Sequence, residues 1–177
     1  MPNEKNEKLI ICGPSGSGKD HLLRGLLKKD LRYSPKITTR PRRKMERNGI
    51  EYDFVNNKKF SSLLESNKIK VYQHFIIDSK DWYYAISNQN FQENQLFIMT
   101  PHEISTLSDE DRKASFVVYL DIDEDIRRSR ITRRDDNNDS INRRIDSDKK
   151  DFNEFTDYDL RITDPDFEVD MVYSLMY

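Results

Sequence analysis

The sequence predicts an α/β fold, a parallel sheet flanked by helices, on three observations. An apolar run, Leu9-Ile10-Ile11-Cys12, leads straight into the glycine-rich run Gly13-Pro14-Ser15-Gly16-Ser17-Gly18-Lys19-Asp20. Short apolar runs then alternate with helical stretches along most of the chain, as a parallel sheet with crossover helices requires. One segment, residues 33–84, breaks that alternation and reads as an insertion.

Taken in order, the first strand covers residues 8–12 and is apolar throughout, as a strand buried on both faces must be. The glycine run follows the pattern Gly, four residues, Gly, Lys, with Asp20 where Ser or Thr is expected. Its glycines let backbone N–H groups turn around a polyphosphate, and Lys19 adds a point charge. A helix over 19–31, with Leu22, Leu23, Leu26 and Leu27 on one face, offers its positive end to the same anion. A carboxylate at position 20 is able to hold Mg²⁺, so Asp20 is the candidate metal ligand. Inside the insertion, strand-like pieces at 52–55 and 69–77 flank a helix at 58–67. Further strands are expected at 95–100, 116–122 and 160–163, and helices at 101–107, 124–133 and 140–155. Residues 127–138, almost devoid of apolar side chains, read as a mobile flap, and 167–177 as an amphipathic closing helix. Ligands of such sheets bind beyond the carboxyl ends of the strands, so the insertion is expected at the mouth of the sheet, holding a second substrate.

Composition narrows the function classes. The chain has 177 residues, 35% of them hydrophobic and 35% charged, enough for one domain with a lean core. Thirty basic against 32 acidic residues give a net charge of −2, which argues against a nucleic-acid partner. No apolar stretch approaches the length of a membrane span, and the first residues lack the apolar core of a signal peptide. A single cysteine, Cys12, excludes an internal disulfide and fits a reducing compartment. The expectation is a cytoplasmic protein, monomer or homodimer, whose partners are small molecules.

A second constellation lies in the insertion. Residues 37–43 read Ile-Thr-Thr-Arg-Pro-Arg-Arg, and Tyr52 follows within Asn48-Gly49-Ile50-Glu51-Tyr52-Asp53-Phe54-Val55. Two arginines three apart and a tyrosine hydroxyl suit a phosphate monoester, although the same residues also fit an exposed basic loop.

Pro-Ser-Gly-x-Gly-Lys, then Thr-Thr-Arg-Pro-x-Arg, then Asn-Gly-x-x-Tyr-x-Phe-Val, in that order and spacing, resemble the guanylate kinase family of nucleoside monophosphate kinases. The resemblance runs from about residue 8 to 164. It implies a single domain over 1–177: a P-loop core (1–32 and 90–177), a monophosphate-binding insertion (about 33–89) and an arginine-bearing lid (about 127–145). It implies ATP as co-substrate, Mg²⁺ as cofactor, and transfer of a phosphoryl group to a nucleoside monophosphate. By position, residues 13–20 (Gly13, Pro14, Ser15, Gly16, Ser17, Gly18, Lys19 and Asp20) and Asp164 would bind ATP. Arg40, Arg43, Tyr52 and Tyr84 would hold the acceptor's phosphate. Lys19, Arg130, Arg134 and Arg144 would be catalytic, with Arg133 competing for the place of Arg134.

Departures from the family concern the acceptor base. The strand after the first helix of the insertion carries no Glu; Gln73 and Asp78 are the side chains there able to read a base edge. Ile86 stands for a hydroxyl residue, and Ile98-Met99-Thr100-Pro101 for a paired-carboxylate motif. The expected acceptor is therefore GMP, dGMP or a nucleotide with an altered or modified base, with Gln73 in the base site. Two other functions remain open on the sequence. One is a ribose 1,5-bisphosphate kinase on the same scaffold, whose P-loop also commonly runs into Lys-Asp. The other is a non-catalytic binding domain of the same shape.

Overall fold

The structure, a computed structural model, describes residues 7–133 and 140–176. In chain order the elements are β1 (Lys8–Cys12), α1 (Lys19–Leu27), β2 (Ile37–Thr38), β3 (Asp53–Phe54) and α2 (Asn57–Glu65). Then come β4 (Ile69–Ile77), β5 (Lys80–Ser87), α3 (Asn88–Glu93), β6 (Leu96–Ile98), α4 (Pro101–Ser105) and α5 (Asp109–Lys113). The chain continues through β7 (Ser115–Leu120), α6 (Glu124–Arg133), α7 (Ile141–Asp151), β8 (Leu160–Ile162) and α8 (Val169–Met176). These elements form two compact units, Met1–Leu31 with Leu96–Tyr177, and Arg32–Gln95.

The first unit is built on a four-stranded sheet in the order β6-β1-β7-β8, with every neighbouring pair parallel. β1 sits inside it, with Ile10 opposite Phe97 on one side and Val117 on the other. That position explains the unbroken apolar run: Leu9, Ile10, Ile11 and Cys12 are all fully buried. Each such aliphatic side chain contributes about 1.5–3 kcal/mol through removal from water. Leu22 and Leu26 of α1 are buried as well.

Five helix starts follow one rule, and α1 departs from it. α2, α3, α4, α5 and α7 begin on Asn56, Ser87, Thr100, Ser108 and Ser140, whose side chains accept a backbone N–H of the first turn. α1 begins on Gly18 in the left-handed conformation, φ 103°, and among the described residues no side chain caps it.

The second unit is a four-stranded sheet in the order β3-β2-β5-β4, with β2–β3 parallel and the other pairs antiparallel. β4 and β5 form a hairpin closed by Asp78 and Ser79, at φ 50° and 61° between the paired Ile77 and Lys80. Two consecutive positive φ values are what a tight two-residue hairpin turn demands. β5 was not anticipated from the sequence. Its alternation is masked by the aromatic run Trp82-Tyr83-Tyr84, three similar side chains that the strand sends to opposite faces. α7 ends at Asp151 rather than at residue 155. The expected flap is corrected at its start, since Arg127 to Arg133 lie in α6 and Arg127 is buried. Arg127 anchors the helix by donating from Nε to the Ile122 carbonyl at 2.9 Å.

Candidate active site

The glycine loop of the first unit runs from the end of β1 to the start of α1. Gly16 (φ 77°) and Gly18 (φ 103°) both occupy backbone conformations that side chains disfavour. Gly16 also lies against α6, where an added Cβ would come within 2.7 Å of the Arg127 carbonyl oxygen. The Lys19 ammonium donates to the carbonyls of Gly13 (2.6 Å) and Pro14 (2.9 Å). It therefore sits over the loop, where a polyphosphate would be bound. Ser17 is fully buried, and its hydroxyl makes no hydrogen bond among the described residues.

Three side chains from α6 and α7 brace this loop. Arg130 donates to the Gly16 carbonyl (3.3 Å) and the Pro165 carbonyl (3.0 Å). Arg127 reaches the Ser15 carbonyl at 3.4 Å, and the Asp148 carboxylate accepts from the Ser15 N–H at 2.9 Å. Beside them is a cavity of about 460 Å³ lined by Gly18, His21, Arg130, Pro165, Asp166 and Phe167. Its volume is that of a small-ligand site. Phe167 packs its ring edge-on to His21, centroids 5.8 Å apart. Asp164 lines a neighbouring hollow with Phe167 and caps its own turn by accepting from the Asp166 N–H. Asp20 is exposed in the first turn of α1. Arg144 lies one turn before Asp148 on α7 and is half-buried, while Arg134 falls outside the described residues.

In the second unit, Arg40 is buried and its guanidinium is paired with a neighbouring carboxylate. It donates to both Glu46 oxygens (3.0 and 2.6 Å) and to the Pro41 carbonyl (2.8 Å). It also lies over the rings of Tyr52 (5.2 Å) and Phe54 (5.6 Å). Burial works against both charges, but the pairing prevails. Glu46, held by Arg40 and the Arg43 N–H, stays below the usual carboxylate range, and Arg40 is pushed up. Tyr52 packs edge-on against Tyr84, and Tyr84 against Phe75, each at 5.8 Å. Gln73 pairs in register with Tyr84 and so shares its face of the sheet.

The structure thus gathers Arg40, Tyr52, Tyr84 and Gln73 on one face of this unit, with Arg43 tied to the same Glu46. It does not bring Asp78 there, because that residue forms the hairpin turn. The opposite face is structural: His74 stacks on Tyr83 (4.5 Å, 10°), which stacks on Phe60 of α2. Sequence reasoning missed Glu46, Arg127 and Asp148. Glu46 was hidden in a charge-rich stretch, and the other two are brought together only by the fold.

A glycine loop between a buried parallel strand and an uncapped helix, with a lysine over the loop and arginines behind it, defines a P-loop nucleotide-binding phosphotransferase. The guanylate kinase family model matches residues 5–175. The guanylate kinases of Rickettsia prowazekii and Rickettsia felis are 30% and 31% identical over 172 and 173 residues, covering 92% and 93% of this chain and 86% and 89% of theirs. A crystal structure of guanylate kinase from Anaplasma phagocytophilum superposes with a TM-score of 0.69 at 17% identity, over 98% of this chain and 86% of that one, a likeness of fold. The chain belongs to the guanylate kinase family. It is an enzyme, a nucleoside monophosphate kinase that takes ATP as co-substrate, and the sugar-bisphosphate and non-catalytic readings are not favoured.

Proposed function

We propose that this enzyme transfers the terminal phosphoryl group of ATP to GMP, giving ADP and GDP. The single observation that carries the donor side is the uncapped start of α1 behind Gly16 and Gly18, with Lys19 over the loop. Residues 13–20 hold the triphosphate, and the cavity beside Gly18 and Phe167 accepts the nucleoside, with Asp164 in the neighbouring hollow. Arg40, Arg43, Tyr52 and Tyr84 hold the acceptor's phosphate, and Gln73, on the Tyr84 face, offers one donor and one acceptor to the base.

The acceptor phosphate oxygen is already anionic near neutral pH, so no general base is required. What the chain supplies is position and positive charge: Lys19 and Arg130 on the loop side, and Arg144 on α7. Arg134 has the same assignment from its place in the sequence.

Among the described residues there is no group of three or more His, Cys, Asp or Glu side chains able to hold a metal. That fits Mg²⁺, which commonly takes one or two carboxylates plus substrate phosphates. Asp20, adjacent to Lys19, is the residue that would hold it, and the ion would neutralise charge on the phosphates. No helix of the described residues is long and apolar enough to cross a membrane. The reading is of a cytoplasmic enzyme, monomer or homodimer, whose partners are nucleotides and Mg²⁺.

The test is ADP release from ATP and Mg²⁺ with GMP, dGMP and the other nucleoside monophosphates as separate acceptors. Turnover with GMP, abolished in Lys19→Ala, is expected. Turnover only with a different base would move the acceptor assignment and leave the donor assignment intact.

A further inference from the structure

Ser15 is held at both of its backbone polar groups by side chains that a phosphate loop does not need for binding phosphate. Its N–H donates to the Asp148 carboxylate at 2.9 Å, and its carbonyl accepts from Arg127 at 3.4 Å. The two side chains, 8% and 14% exposed for Arg127 and Asp148, approach each other to 3.7 Å. A loop whose inward N–H groups exist to bind an anion thus already has one of them on an anion. That anion is part of the chain. Arg127 compensates the carboxylate's charge, which makes its burial beside the loop tolerable. In the same loop the Lys19 ammonium is turned onto the Gly13 and Pro14 carbonyls.

Polyphosphate entering this loop meets a carboxylate of the same sign on a donor that it would use. We propose that Asp148 is a built-in stand-in for a nucleotide phosphate on the Ser15 N–H, a latch that ATP displaces. Displacement has a consequence because Asp148 is on α7, four residues and one turn beyond Arg144. While Asp148 holds the Ser15 N–H, α7 is tied to the loop. When ATP takes Ser15, the tie is broken, and Arg144 is released to follow the phosphates. Nucleotide affinity is reduced by the competition, and the release of α7 is coupled to occupancy of the donor site. This inference rests on ATP occupying the loop.

The experiment measures ATP binding by calorimetry, in the presence of Mg²⁺, for the full chain and for Asp148→Asn and Asp148→Glu, with thermal unfolding as the check on folding. Asp148→Asn keeps the shape and removes the charge. It is expected to tighten ATP at least fivefold, with the gain shrinking as salt rises, while Asp148→Glu gives no gain. Unchanged or weaker binding by Asp148→Asn overturns the latch. A second measurement needs no variant: inorganic tripolyphosphate is titrated into the wild-type protein while the Ser15 amide and the Asp148 carboxyl carbon are followed by NMR. Both signals are expected to move with one midpoint. An Asp148 signal that stays in place while Ser15 titrates overturns the proposal. Wild-type protein that binds neither ATP nor tripolyphosphate overturns the donor assignment as well, which separates the two failures.

Discussion

Replacing Glu46 by Gln tests the reasoning about the second unit where it is most exposed to refutation. Glu46 receives three donors: two from the Arg40 guanidinium and one from the Arg43 N–H at 2.8 Å. The pair is well shielded, with side chains 4% and 13% exposed. A glutamine offers one acceptor oxygen and turns an NH₂ group toward a cation, so part of the bonding is lost together with the counter-charge. Breaking such a buried pair by removing one partner costs about 3–5 kcal/mol, and the oxygen that Gln retains argues for about 3. In a chain of this size that is a fall in Tm of roughly 6–12 °C. Urea unfolding followed by tryptophan fluorescence reads it directly, because Trp82 is on β5 of the same unit. Initial rates at saturating ATP should show a raised KM for GMP, since Arg40 has lost the group that orients it. A loss below about 1 kcal/mol with an unchanged KM would refute the view that Glu46 holds Arg40 in place. Arg40→Leu with Glu46→Leu provides the contrast: stability near wild type, because no charge is left uncompensated, but a raised KM for GMP.

Three further outcomes are expected. Glu46 is held below its ordinary value of 4.5, so its contribution to stability is present above that pH and is lost as pH falls through the lower, folded-state value; the acid limb of a stability–pH profile should be flatter in Glu46→Gln than in wild type. Lys19→Met should lower kcat at least about a thousandfold with an unchanged circular dichroism spectrum, because the charge it removes acts on the phosphates. Gly25→Ala should destabilise by about 1–2 kcal/mol by urea unfolding despite better helix propensity. The added Cβ would lie 2.6–2.7 Å from the Val169 methyl carbons, and Val169→Ala in the same chain should restore the loss.

How much of this was legible in the sequence depends on the distance over which each signal acts. β1, the loop and α1 could be read because strand, glycines and helix are contiguous and each has a local pattern. The parallel order of β1 among β6, β7 and β8 was legible as a class, from apolar runs separated by helices. β5 was not, because Trp82, Tyr83 and Tyr84 look alike in sequence and differ only in the face to which the pleat sends them. For the same reason Gln73 and His74, adjacent in the chain, end on opposite faces, one beside Tyr84 and the other stacked on Tyr83. Asp78 looked like a base reader because nothing local says that Asp78-Ser79 is a turn until the strands on both sides are paired. Arg127 illustrates the limit of composition: within a run of charges it reads as solvated, yet it is buried against Ile122 and Ser15.

The division of the chain has a consequence for its synthesis. The unit Arg32–Gln95 is continuous in sequence, and its ends are joined by the hydrogen bond from the Gln95 N–H to the Arg32 carbonyl at 2.9 Å. β1, in contrast, finds both of its neighbours only beyond residue 95, in β6 and β7. On the ribosome, the middle of the protein therefore has all of its partners first, while the first strand and its loop must wait with their apolar run uncovered. A nascent chain arrested shortly after Gln95 should hold a folded second unit beneath an unfolded N-terminus. The stretch at greatest risk of misassociation before release is Leu9-Ile10-Ile11-Cys12, the same residues that later make the least accessible strand of the enzyme.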